Sequence, residues 1–138
     1  MKTPFFWLVR VYYEDTDAGG VVYHANYLKF FERARTERLR LIGFEQDELR
    51  QSSGVLFAVK SVQVNYLKPA RFNDFLLVSA EVAEIKRASL TFTQEIRRES
   101  PQGEKLCESS IRIACLTDGD LRPAAIPRFL LERIKDAN

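Results

Sequence analysis

Large apolar residues occupy every second position at the start of the chain. Phe5, Trp7, Val9, Val11 and Tyr13 share one parity, and Phe6, Leu8, Arg10, Tyr12 and Glu14 share the other. Both faces begin apolar and charge enters one of them later, which predicts a largely buried strand. The run ends in "EDTDAGG", a cluster of turn formers. From residue 26 to residue 42 the spacing becomes helical. Tyr27, Phe30, Phe31, Ala34, Leu41 and Ile42 fall on one face at about 100° per residue, with Lys29, Arg33, Thr36 and Arg40 opposite. Gly43 stops this helix. Arg38 projects near the middle of the apolar arc and Arg35 near its edge. Each must snorkel, meet a carboxylate or face another subunit. Glu32 and Arg35, spaced i, i+3, are placed to pair along the helix.

"FEQDELRQSSG" predicts a short helix closed by Gly54. Four strand-like runs follow, over residues 55–67, 75–85, 90–96 and 106–117. In the first, Val55, Phe57 and Val59 share a parity that Val62, Val64 and Tyr66 do not. The switch near Lys60 predicts a bulge. "NDF" and "SPQGE" read as turns, and "IPRFLLERIKDA" as a helix starting at Pro127. Successive strands with short links favour antiparallel neighbours, and one long apolar helix face needs a sheet to cover it. The class is therefore α+β. With no internal repeat, low-complexity tract or linker, residues 1–138 read as a single domain.

Composition narrows the function. An apolar fraction of 46% can build a core, and a formal charge of +2 gives no reason to expect a nucleic-acid partner. No segment approaches the ~20 apolar residues that span a bilayer. The N-terminal "MKTPFFWLVRVYYED" has a short apolar run interrupted by Arg10 and no small-residue cleavage site after it. It reads as a strand of the mature protein, and a cytoplasmic location is expected. Cys107 and Cys115, eight residues apart in one extended run, would lie roughly 26 Å apart at ~3.3 Å per residue, far beyond disulfide reach. They read as two isolated, buried thiols in a reducing compartment.

The chemistry concentrates in "EDTDAGGVVYHANY". A single histidine and two distant cysteines offer no common zinc cluster, and the chain has no G-x-S-x-G elbow, P-loop or dinucleotide fingerprint. No cofactor is implied. What remains is Asp15, Asp17, Gly19, Gly20 and His24 ahead of a helix. Glycines permit a sharp turn and close approach to a ligand. A helix start offers unpaired N–H groups and the positive dipole end, which suit a developing oxyanion. Asp17 is placed to attack a carbonyl or activate water, and His24 to orient substrate or assist proton transfer. The same residues also fit a plain strand-to-helix turn with Asn26 as its cap. Residue types alone leave both readings open.

"RVYYEDTDAGGVVYHANYLKFFERARTERL", followed by "VNYLKPARFNDFLLVSAEV" and "IKRASLTFTQEI", resembles the hot-dog-fold acyl-CoA thioesterases of the 4-hydroxybenzoyl-CoA type. The likeness spans nearly the whole chain and is strongest toward the branch associated with the bacterial Tol-Pal cell-envelope system. It implies a curved antiparallel sheet of about five strands around one long helix, with subunits paired edge to edge into dimers and often tetramers. Arg35 and Arg38 are then expected to find partners at an interface. The family's catalytic carboxylate falls on Asp17, and its carbonyl-polarising helix N–H lies near His24, which in this branch also assists. Asp15 is left as a turn carboxylate with local hydrogen bonds.

The implied reaction is hydrolysis of an acyl-CoA thioester. The thiol leaves as a thiolate with little acid assistance, so one carboxylate and an oxyanion site suffice. Gly20 and Tyr23 are expected to line the substrate site. Lys86, Arg87 and Ser89 are the leading candidates for the phosphate end of coenzyme A, with Lys60, Lys68 and Arg71 behind them. Two competing readings remain: a hot-dog hydratase or dehydratase on acyl thioesters, and an adaptor that binds acyl carrier protein in envelope lipid metabolism.

Overall fold

In the computed structural model, which describes residues 4–137, the elements run β1 (Phe6–Arg10), α1 (Asn26–Leu41), α2 (Gln46–Ser53), β2 (Val55–Tyr66), β3 (Phe75–Ser79), β4 (Glu81–Ile85), β5 (Ser89–Arg98), β6 (Lys105–Thr117) and α3 (Arg128–Ala137). The strands form one antiparallel sheet in the order β1-β3-β5-β6-β2, with β4 also paired to β5. Helix α1 turns Tyr27, Phe30, Phe31, Ala34 and Leu39 onto the inner face of this sheet. They meet Val9, Leu76, Val78, Phe92, Ile96 and Ile111 in one continuous core. Burying each large side chain there contributes about 1.5–3 kcal/mol.

Helix α1 ends at a Schellman motif. Gly43, at φ +101°, lets its own N–H reach Arg40 O at 3.0 Å and the Phe44 N–H reach Leu39 O at 2.9 Å. The turn swings the last residues off the sheet. Leu41 is therefore 68% exposed rather than on the core face, and Leu39 and Phe44 fill the place expected of it. The expected bulge in β2 is present, with the register shifting between Val59 and Ser61. Inward parity passes there from Phe57 to Val62, Val64 and Tyr66.

Two expectations are corrected. The first strand is shorter and less buried than its pattern implies. β1 pairs only with β3, so it is an edge strand, and Trp7 and Leu8 are exposed. The run 75–85 is two strands, giving six rather than about five. At the break, Ser79 O accepts from Gln94 Nε2 at 2.9 Å, and the Glu95 N–H bonds Ser79 Oγ at 2.8 Å. Two side chains thus stand in for ladder bonds and bend the chain.

The same glutamine settles Arg35. Its Oε1 accepts from Arg35 Nη1 at 3.0 Å, and its Nε2 also reaches Phe31 O at 3.0 Å. Arg38 bonds Ala137 O at 3.0 Å and lies over the Phe5 ring. Both arginines have partners inside the chain. Among the described residues no Glu32–Arg35 ion pair forms, because Gln94 takes the guanidinium. Cys107 and Cys115 are free and buried.

Candidate active site

The segment between β1 and α1 is a tight, fully specified turn. Residues Tyr13–Asp15 make one 3-10 turn, closed by Asp15 Oδ2 accepting from the Tyr12 N–H at 2.8 Å. The chain then reverses. Asp17 N–H donates to Val21 O at 2.8 Å, Gly20 N–H donates to Asp17 O at 3.0 Å, and Thr16 bridges Val22. Gly20 stands at φ +80°, a conformation costly to other residues. Gly19 has a different reason: a Cβ there would lie 3.3 Å from Asp17 Oδ1, and its N–H instead donates to that oxygen at 2.8 Å. Asp17 is thus an exposed carboxylate held at one oxygen by a backbone amide, with its other oxygen free of protein partners among the described residues.

The two aspartates differ in exposure, Asp15 half-buried and Asp17 exposed, although each carboxylate accepts one backbone N–H. The Asp15 carboxylate is used by the local turn, and its carbonyl accepts from Tyr23 N–H and Asn26 Nδ2, both at 2.9 Å. Asn26 is therefore not the helix cap. It is the first residue of α1, and its side chain ties the turn to the helix. The N-cap is Ala25, which has no side-chain cap bond. Among the described residues the N–H groups of His24, Ala25 and Tyr27 have no acceptor. A helix start with uncapped donors beside a carboxylate is chemically poised for an electrophilic carbonyl: the donors hold the oxygen while the carboxylate meets the carbon or a water.

His24 is exposed, with its ring 4.6 Å from that of Tyr23 and 6.4 Å from that of Tyr66. Its carbonyl accepts from Tyr66 Oη at 2.9 Å. The Tyr27 hydroxyl, beneath them, accepts from the buried Ala70 N–H at 3.1 Å. Tyr23, His24, Tyr27 and Tyr66 are therefore clustered, with Asp17 and Gly20 a few residues earlier on the same segment. Tyr66, on β2, was missed by the sequence reading; its inward parity after the Lys60 bulge was the available signal. Arg71, one of the weaker phosphate candidates, is nearer than expected, since it bridges Val21. Lys68 is occupied by Glu104 at 3.2 Å.

Lys86, Arg87 and Ser89 do not join this group within one chain. Ser89 begins β5, whereas the Asp17 turn sits beyond its other end, where Arg98 meets Asp74 at 3.0 Å and Asp74 holds Arg71. Ten residues of strand, roughly 30 Å at 3.3 Å each, separate the two ends. Lys86 pairs with Glu84 at 3.3 Å, Arg87 is exposed, and Ser89 is buried with its hydroxyl accepting from Arg112 at 3.3 Å. A cavity of about 210 Å³ lies between α1 and the β2–β6 pair, lined by Arg35, Thr36, Leu39, Phe57, Val59 and Ile113 among others. Among the described residues no group of three or more His, Cys, Asp or Glu is placed to hold a metal, and no helix is long and apolar enough to cross a membrane.

The sequence profile of the Thioesterase superfamily matches residues 19–105. An acyl-CoA thioesterase named YbgC from Haemophilus influenzae is 45% identical over 93% of this chain and 92% of its own. An acyl-CoA thioester hydrolase YbgC from Escherichia coli O6:H1 is 43% identical over 96% of this chain and 97% of its own. Among solved structures, a hypothetical protein from Aquifex aeolicus superposes with a TM-score of 0.86 at 29% identity, covering 95% of this chain and 99% of that one.

Proposed function

The chain belongs to the thioesterase superfamily, and from that premise we propose that it hydrolyses acyl-CoA thioesters to a free acid and coenzyme A. The observation that carries this reading is the pairing of the exposed Asp17 carboxylate with the uncapped start of α1 on one short segment. In the proposed reaction the thioester oxygen sits against the free N–H groups around His24. Asp17 either attacks the carbonyl carbon to form a mixed anhydride that water then hydrolyses, or takes the proton of a water that attacks that carbon. Gly20 and Tyr23 line the approach, and His24 orients the substrate. As the C–S bond breaks, its electron pair leaves with coenzyme A as thiolate, so no strong acid is required.

Several finer points belong to the same proposal. The whole chain acts as a single domain. β2 is an edge strand whose outer side is unpaired among the described residues, with Val59 and Val62 exposed on it. Two copies joined antiparallel through β2 would cover both edges. That pairing sets the C-terminal end of one β2, with Tyr66, His24 and Asp17, beside the N-terminal end of the other. Lys86, Arg87 and Ser89 of one subunit then approach the Asp17 of the partner subunit and take the phosphate end of coenzyme A. The cavity beside Phe57 and Val59 would take the acyl group. We place the enzyme in the cytoplasm as a homodimer or homotetramer, linked to the Tol-Pal system, with acyl carrier protein as a further partner.

The test is a panel of acyl-CoA substrates followed for free thiol and analysed for products. Stoichiometric thiol and free acid are expected. A new double bond, or added water with the thioester intact, would contradict hydrolysis.

A further inference from the structure

Tyr66 reaches the start of α1 from 42 residues away in sequence, and its hydroxyl makes one bond, to the carbonyl oxygen of His24 at 2.9 Å. That oxygen belongs to the same planar peptide unit as the Ala25 N–H. The Ala25 N–H is one of the helix-start donors with no acceptor among the described residues. A hydrogen bond received at one end of a peptide unit draws electron density toward the oxygen and strengthens the N–H at the other end as a donor. The bond also fixes the plane. The peptide units on either side are tied locally, by Asn26 N–H to Tyr23 O at 2.8 Å and Leu28 N–H to Ala25 O at 3.2 Å, and the Tyr66 bond holds the unit between them.

The tyrosine is itself well anchored. Its backbone lies opposite Cys107 on β6, and directly after it the N–H groups of Leu67 and Lys68 both donate to Leu106 O, at 2.9 and 3.0 Å. Its ring packs edge-on against Tyr27, centroids 5.3 Å apart, and edge-on to the His24 ring. Burial raises the phenol above its ordinary value of 10.0, so the hydroxyl keeps its proton as a donor at neutral pH.

We propose that Tyr66 is a positioning residue of the hydrolytic site: through its bond to the His24 carbonyl it orients and polarises the Ala25 N–H, one of the free donors around His24 that face the developing oxyanion. This rests on the thioesterase reading of the site and adds to it the element that holds the oxyanion donor in place. Tyr66 does not need to touch the acyl group. Its effect is carried by the peptide unit.

The test is Tyr66→Phe, which keeps both ring contacts and removes only the hydroxyl, run beside wild type and Asp17→Asn. Steady-state hydrolysis of an acyl-CoA that the wild type turns over is measured, together with NMR of the His24 carbonyl carbon and the Ala25 amide. The expected result is a fall in kcat of about tenfold with KM unchanged, short of the ~10²–10³-fold cost of deleting an oxyanion donor outright. The His24 carbonyl resonance should move upfield as its hydrogen bond is lost, and the Ala25 amide should shift with it. Unchanged kcat, a rise in KM alone, or an unmoved His24 carbonyl would each overturn the proposal. The Asp17→Asn arm reports separately on the underlying reading. If that variant turns over like wild type, the site assignment fails, and the NMR signature alone then judges the clamp. A thermal melt of Tyr66→Phe close to wild type assigns the kinetic change to the site rather than to folding.

Discussion

Gly19 and Gly20 are adjacent, yet each is glycine for its own reason. A methyl group at Gly19 would press within 3.3 Å of Asp17 Oδ1, while at Gly20 there is open space and the cost lies in φ +80°. The two alanine variants should therefore separate. Gly20→Ala is expected to lower stability by about 1–2 kcal/mol, seen as a lower denaturation midpoint. Gly19→Ala should leave the midpoint nearly unchanged but displace the carboxylate, lowering turnover by up to about 10²-fold. At this scale the sequence marked out the segment from Asp15 to His24 but not the contacts within it. Asp17 and Asp15 could be told apart only by resemblance: each carboxylate accepts one backbone N–H, and what separates them is that Asp15 is half-buried while Asp17 is exposed. The parity of Tyr66 on β2 was legible, but its partner, a backbone carbonyl 42 positions away, leaves no mark on residue spacing.

Among elements, the long helix follows directly from periodicity, since it buries one face against the sheet, and the β2 bulge follows from the switch of parity near Lys60. The split between β3 and β4 does not. Leu76, Val78 and Ala80 keep a common buried parity through the break, so the apolar pattern reads as one strand. What interrupts it is Gln94, whose side chain joins Ser79, Phe31 and Arg35 across three elements. Arg35 is 7% exposed, and burial pushes its guanidinium below its usual value while the charge of Glu32 opposes that. Gln94→Leu would leave two carbonyls and a buried cation without this partner. A loss of about 3 kcal/mol is expected, measured by denaturant unfolding. A loss within error of zero would show that water replaces the glutamine. Lys86, Arg87 and Ser89 illustrate a further limit: within one chain they lie away from Asp17, and the approach proposed for them depends on a subunit pairing that one chain's pattern does not encode.

For the molecule as a whole, the buried core sets an alkaline limit to stability. Burial holds the Cys107 thiol far above its ordinary value of 9.0, at about 12, and raises the Tyr27 phenol as well. Both folded values exceed the unfolded ones. Their contribution is thus complete below pH 9.0, where the unfolded thiol begins to ionise, and is lost as pH rises toward about 12. The denaturation midpoint should fall through that window, and Cys107→Ala should fall less steeply. The proposed subunit pairing makes a separate demand. Asp17→Asn chains mixed and refolded with Lys86→Glu/Arg87→Glu chains should regain activity that neither has alone, because one mixed site is intact. No recovery would place the phosphate contacts elsewhere. The most direct test of the central claim is acyl-CoA hydrolysis by Asp17→Asn, which keeps size and the turn but removes the charged carboxylate. Turnover should fall by at least about 10²-fold, with a wild-type denaturation midpoint. Undiminished thiol release by the folded variant would contradict the account.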